Sequence, residues 1–141
     1  MTTTSNPAAP QTIGIVLFAH GSRDPLWSAP MQAVAAQITQ MQPALPVRCA
    51  YLELCEPDLP TATAQLLAAG CTTVRVLPLF LGVGKHARQD LPELIDQLRQ
   101  QYPAVRFEVQ ASVGEDPRMI ALMAQLALPP NLASTASQTA P

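Results

Sequence analysis

The chain has two histidines, and each follows an apolar run. His20 lies in Phe18-Ala19-His20-Gly21-Ser22-Arg23-Asp24-Pro25, behind the run Ile13 to Ala19. His86 lies in Gly82-Val83-Gly84-Lys85-His86-Ala87-Arg88, behind the run Val74 to Leu81. Glu53 closes a third, shorter run that begins at Val47. Neutral imidazole together with a carboxylate suits a divalent cobalt, nickel, iron or zinc ion. Cys49, Cys55 and Cys71 form no CxxC pair, so no thiolate cluster argues for a closed structural zinc site. Ser22, Arg23, Lys85 and Arg88 add hydroxyl and cationic groups that could bind carboxylates or phosphates. Gly82 and Gly84 could let backbone N–H groups approach an anion, although a lone G-x-G is a weak motif. Each feature also has an ordinary explanation. A single histidine is often just a hydrogen-bonded polar group, Glu53 could be a solvated edge-strand residue, and the cations could simply solvate loops. Glu56 and Asp58 fit a helix start, and Cys55 fits a bystander near the rim. The choice turns on whether the fold brings these groups together.

The elements that would have to do so can be read in order. Ile13 to Ala19 is almost wholly apolar, as in a strand covered on both faces. A helix follows over about 29–42, with Met31, Val34, Ala35, Ile38 and Met41 on one face, Ser28 as N-cap and Pro43 as the stop. Val47 to Glu53 forms a second strand, which Arg48 marks as less buried. Asp58 caps a second helix whose Leu59, Ala62, Leu66 and Leu67 face the core, and Gly70 closes it. Val74 to Leu81 is a third strand, and a loop over 82–87 leads to a helix over 88–101. A fourth strand spans 105–111, where Arg106, Glu108 and Gln110 alternate with other residues. Asp116-Pro117 opens a last helix that ends near Leu128.

Alternating strands and helices predict an α/β fold with a parallel sheet. The almost wholly apolar first and third strands belong at its centre, and the second and fourth at its edges. That gives a three-layer, flavodoxin-like domain with a four-stranded parallel sheet of order 2-1-3-4. Ligands of such sheets bind beyond the carboxyl ends of the strands, at the switch point between strands one and three. His20, His86 and Glu53 all fall on that rim.

Residues 1–11 are expected to be a disordered lead, 12–128 a single domain, and 129–141 a disordered tail rich in Ser, Thr, Ala and Pro. A net charge of −2 and 4% aromatic residues argue against nucleic acid or an anionic membrane as partner. There is no signal-peptide pattern and no apolar run of the ~20 residues a membrane helix needs. The expectation is a cytoplasmic protein with reduced thiols.

Four blocks carry a family resemblance, in the family's order and spacing. They are Phe18 to Pro25, then Ala50-Tyr51-Leu52-Glu53-Leu54-Cys55-Glu56-Pro57, then Val76-Leu77-Pro78-Leu79-Phe80-Leu81, then Gly84-Lys85-His86-Ala87-Arg88-Gln89-Asp90-Leu91-Pro92. Over about 13–128 the chain resembles the short form of the class II tetrapyrrole metal chelatases, the CbiX-type sirohydrochlorin chelatases. It departs at Gly84-Lys85-His86, where many relatives have Gly-Gly-His or a similar step. The resemblance implies a lyase-type enzyme that inserts a divalent metal into sirohydrochlorin, with Co2+ towards cobalamin or Fe2+ towards siroheme. The metal, Ni2+ among the candidates, would be a substrate, with no tightly bound cofactor. It also implies that His20 and His86 bind the metal and accept protons, with Glu53 as a third ligand or an orienter of one histidine. Ser22, Arg23, Gly84, Lys85 and Arg88 would then face the macrocycle's acidic arms, and short forms pair as homodimers. The rival reading is a non-catalytic carrier of metal or tetrapyrrole using the same residues. Phosphoryl transfer through His20 fits less well, because histidine phosphatases place Arg directly before the nucleophile and this chain has Ala19.

Overall fold

A computed structural model describes residues 12–132. The lead over 1–11 and the tail from 133 lie outside the described residues. The four strands are β1 (Ile13–Ala19), β2 (Val47–Tyr51), β3 (Thr73–Pro78) and β4 (Arg106–Val109). All pair in parallel, in the order β2-β1-β3-β4. The helices are α1 (Ala29–Met41), α2 (Leu59–Ala68), α3 (Lys85–Gln101) and α4 (Pro117–Ala127), and a 3-10 turn spans Val113–Glu115. At the end of the described residues the chain turns, with Leu132 N–H donating to the Pro129 carbonyl at 2.9 Å.

The order follows from which strands can be buried on both faces. Val16, Leu17, Phe18 and Ala19 at the end of β1 are all buried. On one face Val16, Phe18, Ala50, Val74, Val76 and Phe107 meet α2 and α3 through Leu59, Ala62, Leu66, Ala87, Leu91, Ile95 and Leu98. Gly14 lets α2 come close, since a methyl there would press on Leu66 and the Cys71 thiol. On the other face α1 covers β1 and β2, and Trp27 packs edge-on against Tyr51 at 6.0 Å. Beyond that cover, β3 and β4 carry an ion-pair ladder. Arg75 Nη1 meets Glu108 Oε2 at 3.0 Å, and Arg106 Nε meets Glu108 Oε1 at 3.2 Å.

Several expected details change. No residue of α1 is buried: Met31, Ala35 and Ile38 are half-buried, while Val34 and Met41 are 43% and 74% exposed. The apolar stripe is real, but the sheet covers only its middle. Ser28 does not cap through its side chain; its hydroxyl accepts from the Gln32 amide instead. β2 stops at Tyr51, β3 at Pro78 and β4 at Val109, each short of the expected ends at 53, 81 and 111. The largest change is in α3, which starts at Lys85 rather than Arg88, so that Lys85, His86 and Arg88 belong to its first turn. Gly84, extended at φ −68 and ψ 163, is the N-cap. Pro92 lies within this helix and removes the N–H that would bond the Arg88 carbonyl.

The α2 ends match their sequence signals. Gly70 leaves the helix at φ +96. Asp58 Oδ1 accepts from Thr61 N–H at 2.9 Å. The Thr61 hydroxyl and N–H together hold the Asp58 carboxyl below the ordinary carboxylate range. A lowered folded pKa means this cap stabilises the fold above the unfolded value and loses that contribution as pH falls through the folded value. Asp58→Ala should therefore cost about 1 kcal/mol at neutral pH in urea unfolding. The gap between variant and wild type should begin to narrow near pH 4 and close only below the folded value.

Candidate functional site

The site is built where β1 and β2 keep pairing past their ends. Leu52 N–H donates to the Ala19 carbonyl at 2.9 Å, and Glu53 N–H donates to the His20 carbonyl at 3.1 Å. Gly21 follows at φ +105, a left-handed conformation that a side chain resists. A methyl at Gly21 would also run into the Glu53 carbonyl. After Glu53 the chain reverses in a three-residue turn, with Cys55 N–H on the Glu53 carbonyl at 2.9 Å and Leu54 at φ 69. A cis peptide joins Glu56 to Pro57, and the Pro57 carbonyl accepts from Tyr51 N–H at 2.9 Å.

This loop brings two side chains together. His20 Nε2 lies 2.9 Å from Glu53 Oε1, and the two side chains are 53% and 55% exposed. A metal bound to both at ~2.1 Å would see them about 90° apart, a cis pair of a six-coordinate ion. The shared proton could thus give way to a metal without moving the backbone, and the remaining positions would face solvent.

His86 lies beyond β3, the strand paired with β1, in register Phe18↔Pro78. It is exposed, and among the described residues no three His, Cys, Asp or Glu side chains form a metal-binding group. The loop before it is well fixed. Leu79 N–H donates to the Phe18 carbonyl at 2.7 Å, and Phe80 packs edge-on against Phe18 at 6.0 Å. Gly114 N–H donates to the Phe80 carbonyl at 3.0 Å, and Gly114 lies so close to Leu81 that a side chain there would meet the Leu81 carbonyl.

The other expected site residues are placed as follows. Ser22 is committed locally, its hydroxyl accepting from Asp24 N–H at 3.0 Å. Arg23, Lys85 and Arg88 are exposed and, among the described residues, make no ion pair. The Gly84 carbonyl accepts the first bond of α3, from Arg88 N–H at 3.0 Å. A cleft of about 280 Å³ opens beside the pair, lined by Ser22, Arg23, Ser28, Gln32, Tyr51 and Cys55, among others. Sequence reasoning missed the parts of Ser28, Gln32 and Tyr51 in this wall; only the position of Tyr51, two residues before Glu53, hinted at one. Burial pushes the Tyr51 phenol and the Cys49 thiol further above values that already leave both protonated at neutral pH.

Fold and site together define a parallel α/β domain that presents an imidazole–carboxylate pair on its carboxyl-end rim, beyond β1 and β2. The model of the CbiX family matches residues 14–128, and the chain belongs to that family. A sirohydrochlorin cobaltochelatase from Methanopyrus kandleri is 30% identical over 83 residues, 59% of this chain and 58% of that one. The chain thus spans less than two thirds of this relative. A solved CbiX protein from Marinobacter aquaeolei VT8 superposes with a TM-score of 0.70 at 30% identity, over 81% of this chain and 92% of that one. The sirohydrochlorin chelatase SirB from Bacillus subtilis subspecies spizizenii, solved in complex with cobalt, superposes with a TM-score of 0.65 at 27% identity, over 82% of this chain and 50% of that one. No helix among the described residues is long and apolar enough to cross a membrane.

Gly21→Ala should lower stability by about 2 kcal/mol and separate the pair, because it opposes both the left-handed backbone and the Glu53 carbonyl. Denaturant unfolding with Co2+ titration would check this; an unchanged variant in both assays would contradict the clamp.

Proposed function

We propose that the chain is a sirohydrochlorin metal chelatase that inserts Co2+ or Fe2+ into the macrocycle, in the cytoplasm and as a homodimer. The observation that carries the reading is the His20–Glu53 pair, 2.9 Å apart on the rim of a CbiX-family sheet. The names of the M. kandleri relative and of cobalt-bound SirB support the substrate and the metal class. Donor chemistry admits iron and nickel equally. The three free cysteines fit a reducing compartment.

In the reaction a divalent ion replaces two pyrrole protons, so the site must hold metal and also release it. His20 and Glu53 hold the ion through two donors and leave its other positions to solvent and then to the pyrrole nitrogens. Their exposure keeps the ion exchangeable, where a buried cage would retain it. Across the switch point, His86 accepts one of the two displaced pyrrole protons and water takes the other. The first turn of α3 adds unpaired backbone N–H groups and the side chains of Lys85 and Arg88, which suit carboxylate arms. Arg23 and Ser22 take an arm on the opposite side, where the 280 Å³ cleft admits an arm but not the ring.

The test is anaerobic absorption spectroscopy with excess sirohydrochlorin and Co2+ or Fe2+. Wild type should turn over many times above the spontaneous rate, and His86→Ala should lose about 100-fold or more in kcat with the fold intact. His20→Ala should also weaken Co2+ binding, whereas His86→Ala should leave it within about 3-fold. One stoichiometric spectral shift without turnover would make the chain a carrier, and full activity in His86→Ala would remove its assignment.

A further inference from the structure

We infer that Leu54 is the seat on which the apolar face of the macrocycle rests beside the His20–Glu53 pair; the inference rests on the chelatase reading above and names a residue that holds the ring. The rim cations suit acidic arms and the pair suits a metal. The planar body of a tetrapyrrole is apolar, and it needs apolar surface to bind.

Leu54 occupies a position that the fold alone does not favour. Three of the described residues have a left-handed backbone: Gly21 at φ +105, Gly70 at φ +96 and Leu54 at φ 69. The two glycines adopt it freely, whereas the side chain of a leucine crowds its own backbone there. Leu54 is also the centre of the three-residue turn that the bond from Cys55 N–H to the Glu53 carbonyl closes at 2.9 Å. A turn of that size with a positive φ at its centre is the rare and strained form. Packing returns little for the strain. Leu54 lies outside the core cluster and is 50% exposed. A residue that strains the backbone and buries little of itself serves something outside the fold.

Its position selects the partner. Glu53, one donor of the pair, directly precedes it. Leu54 lines the 280 Å³ cleft together with Ser22, Arg23 and Tyr51, so it stands between the metal donors and a cationic wall. The same pattern runs around the rim. The loops after β1, β2 and β3 expose Leu26, Leu54 and Leu81, at 78%, 50% and 66%. At the opposite end of the sheet, the connecting segments over 42–46, 69–72 and 102–105 expose no large hydrophobic side chain. Among the described loops that join strands and helices, apolar tips therefore occur on the end that carries the donors and cations. A flat ligand with an apolar body and charged arms calls for that combination.

Titration of the full chain with metal-free sirohydrochlorin, followed by absorbance, tests the seat. Leu54→Asn and Leu54→Gly accept a left-handed backbone and remove the apolar group. Both should raise the macrocycle Kd about 10-fold. In turnover the loss should appear in KM. Co2+ binding should not change, and the urea midpoint of Leu54→Gly should equal or exceed that of wild type, because the strain is gone. Leu54→Met keeps an apolar side chain and should bind the macrocycle within about 3-fold of wild type. An unchanged macrocycle Kd in Leu54→Asn and Leu54→Gly overturns the seat. Weakened Co2+ binding or a lowered urea midpoint also overturns it, since Leu54 would then be a support of the turn. A wild type that binds the macrocycle without turning it over ends the chelatase reading, and a Kd raised by Leu54→Asn would still uphold the seat in a carrier. A wild type that binds no macrocycle overturns both.

Discussion

The structure depends on parallel pairing that does not stop where its strands stop. β1 and β2 exchange two further backbone bonds beyond Ala19 and Tyr51, and those bonds carry His20 and Glu53 to the rim side by side. The approach is possible only because Gly21 has no side chain and can adopt φ +105. The imidazole–carboxylate distance is therefore set by main-chain geometry, with a buried strand behind it. That arrangement resists the loss of order that exposed polar side chains otherwise show.

Electrostatics and burial divide the rim. The pair and the cations Arg23, Lys85 and Arg88 face water, whereas the Tyr51 phenol and the Cys49 thiol are partly withdrawn from it and are neutral. The pair offers one borderline nitrogen donor and one hard oxygen donor to water; under the proposed function these would serve a passing ion, and the exposed cations the acidic arms of its acceptor.

Much of the architecture was legible in the residues. The apolar run of β1 and the nearly apolar run of β3, broken only by Arg75, placed them centrally, and Arg48 and Arg106 marked the edges, which is the observed order. The start of α3 was not legible, because Gly82 and Gly84 read as loop and Lys85-His86 carries no capping signal; an extended glycine caps the helix instead. The turn after Glu53 was hidden because leucine at φ 69 is not a turn residue by type. The stripe on α1 showed which face points inward but not how little of it the sheet reaches. Rim placement brought His20 and Glu53 into the same neighbourhood, but their 2.9 Å contact depends on backbone bonds that no spacing rule specifies.

Pro92 removes one backbone bond from the middle of α3, between the turn that carries His86 and the turns that hold Ile95 and Leu98. Ala87 and Leu91, on the near side of that gap, lie in the core as well. Packing takes over where the hydrogen-bond ladder is interrupted, so two apolar side chains pressed on the sheet hold the turn that presents His86. The position of that histidine is thereby a property of the core, and a truncation of Leu91 would be felt at the rim.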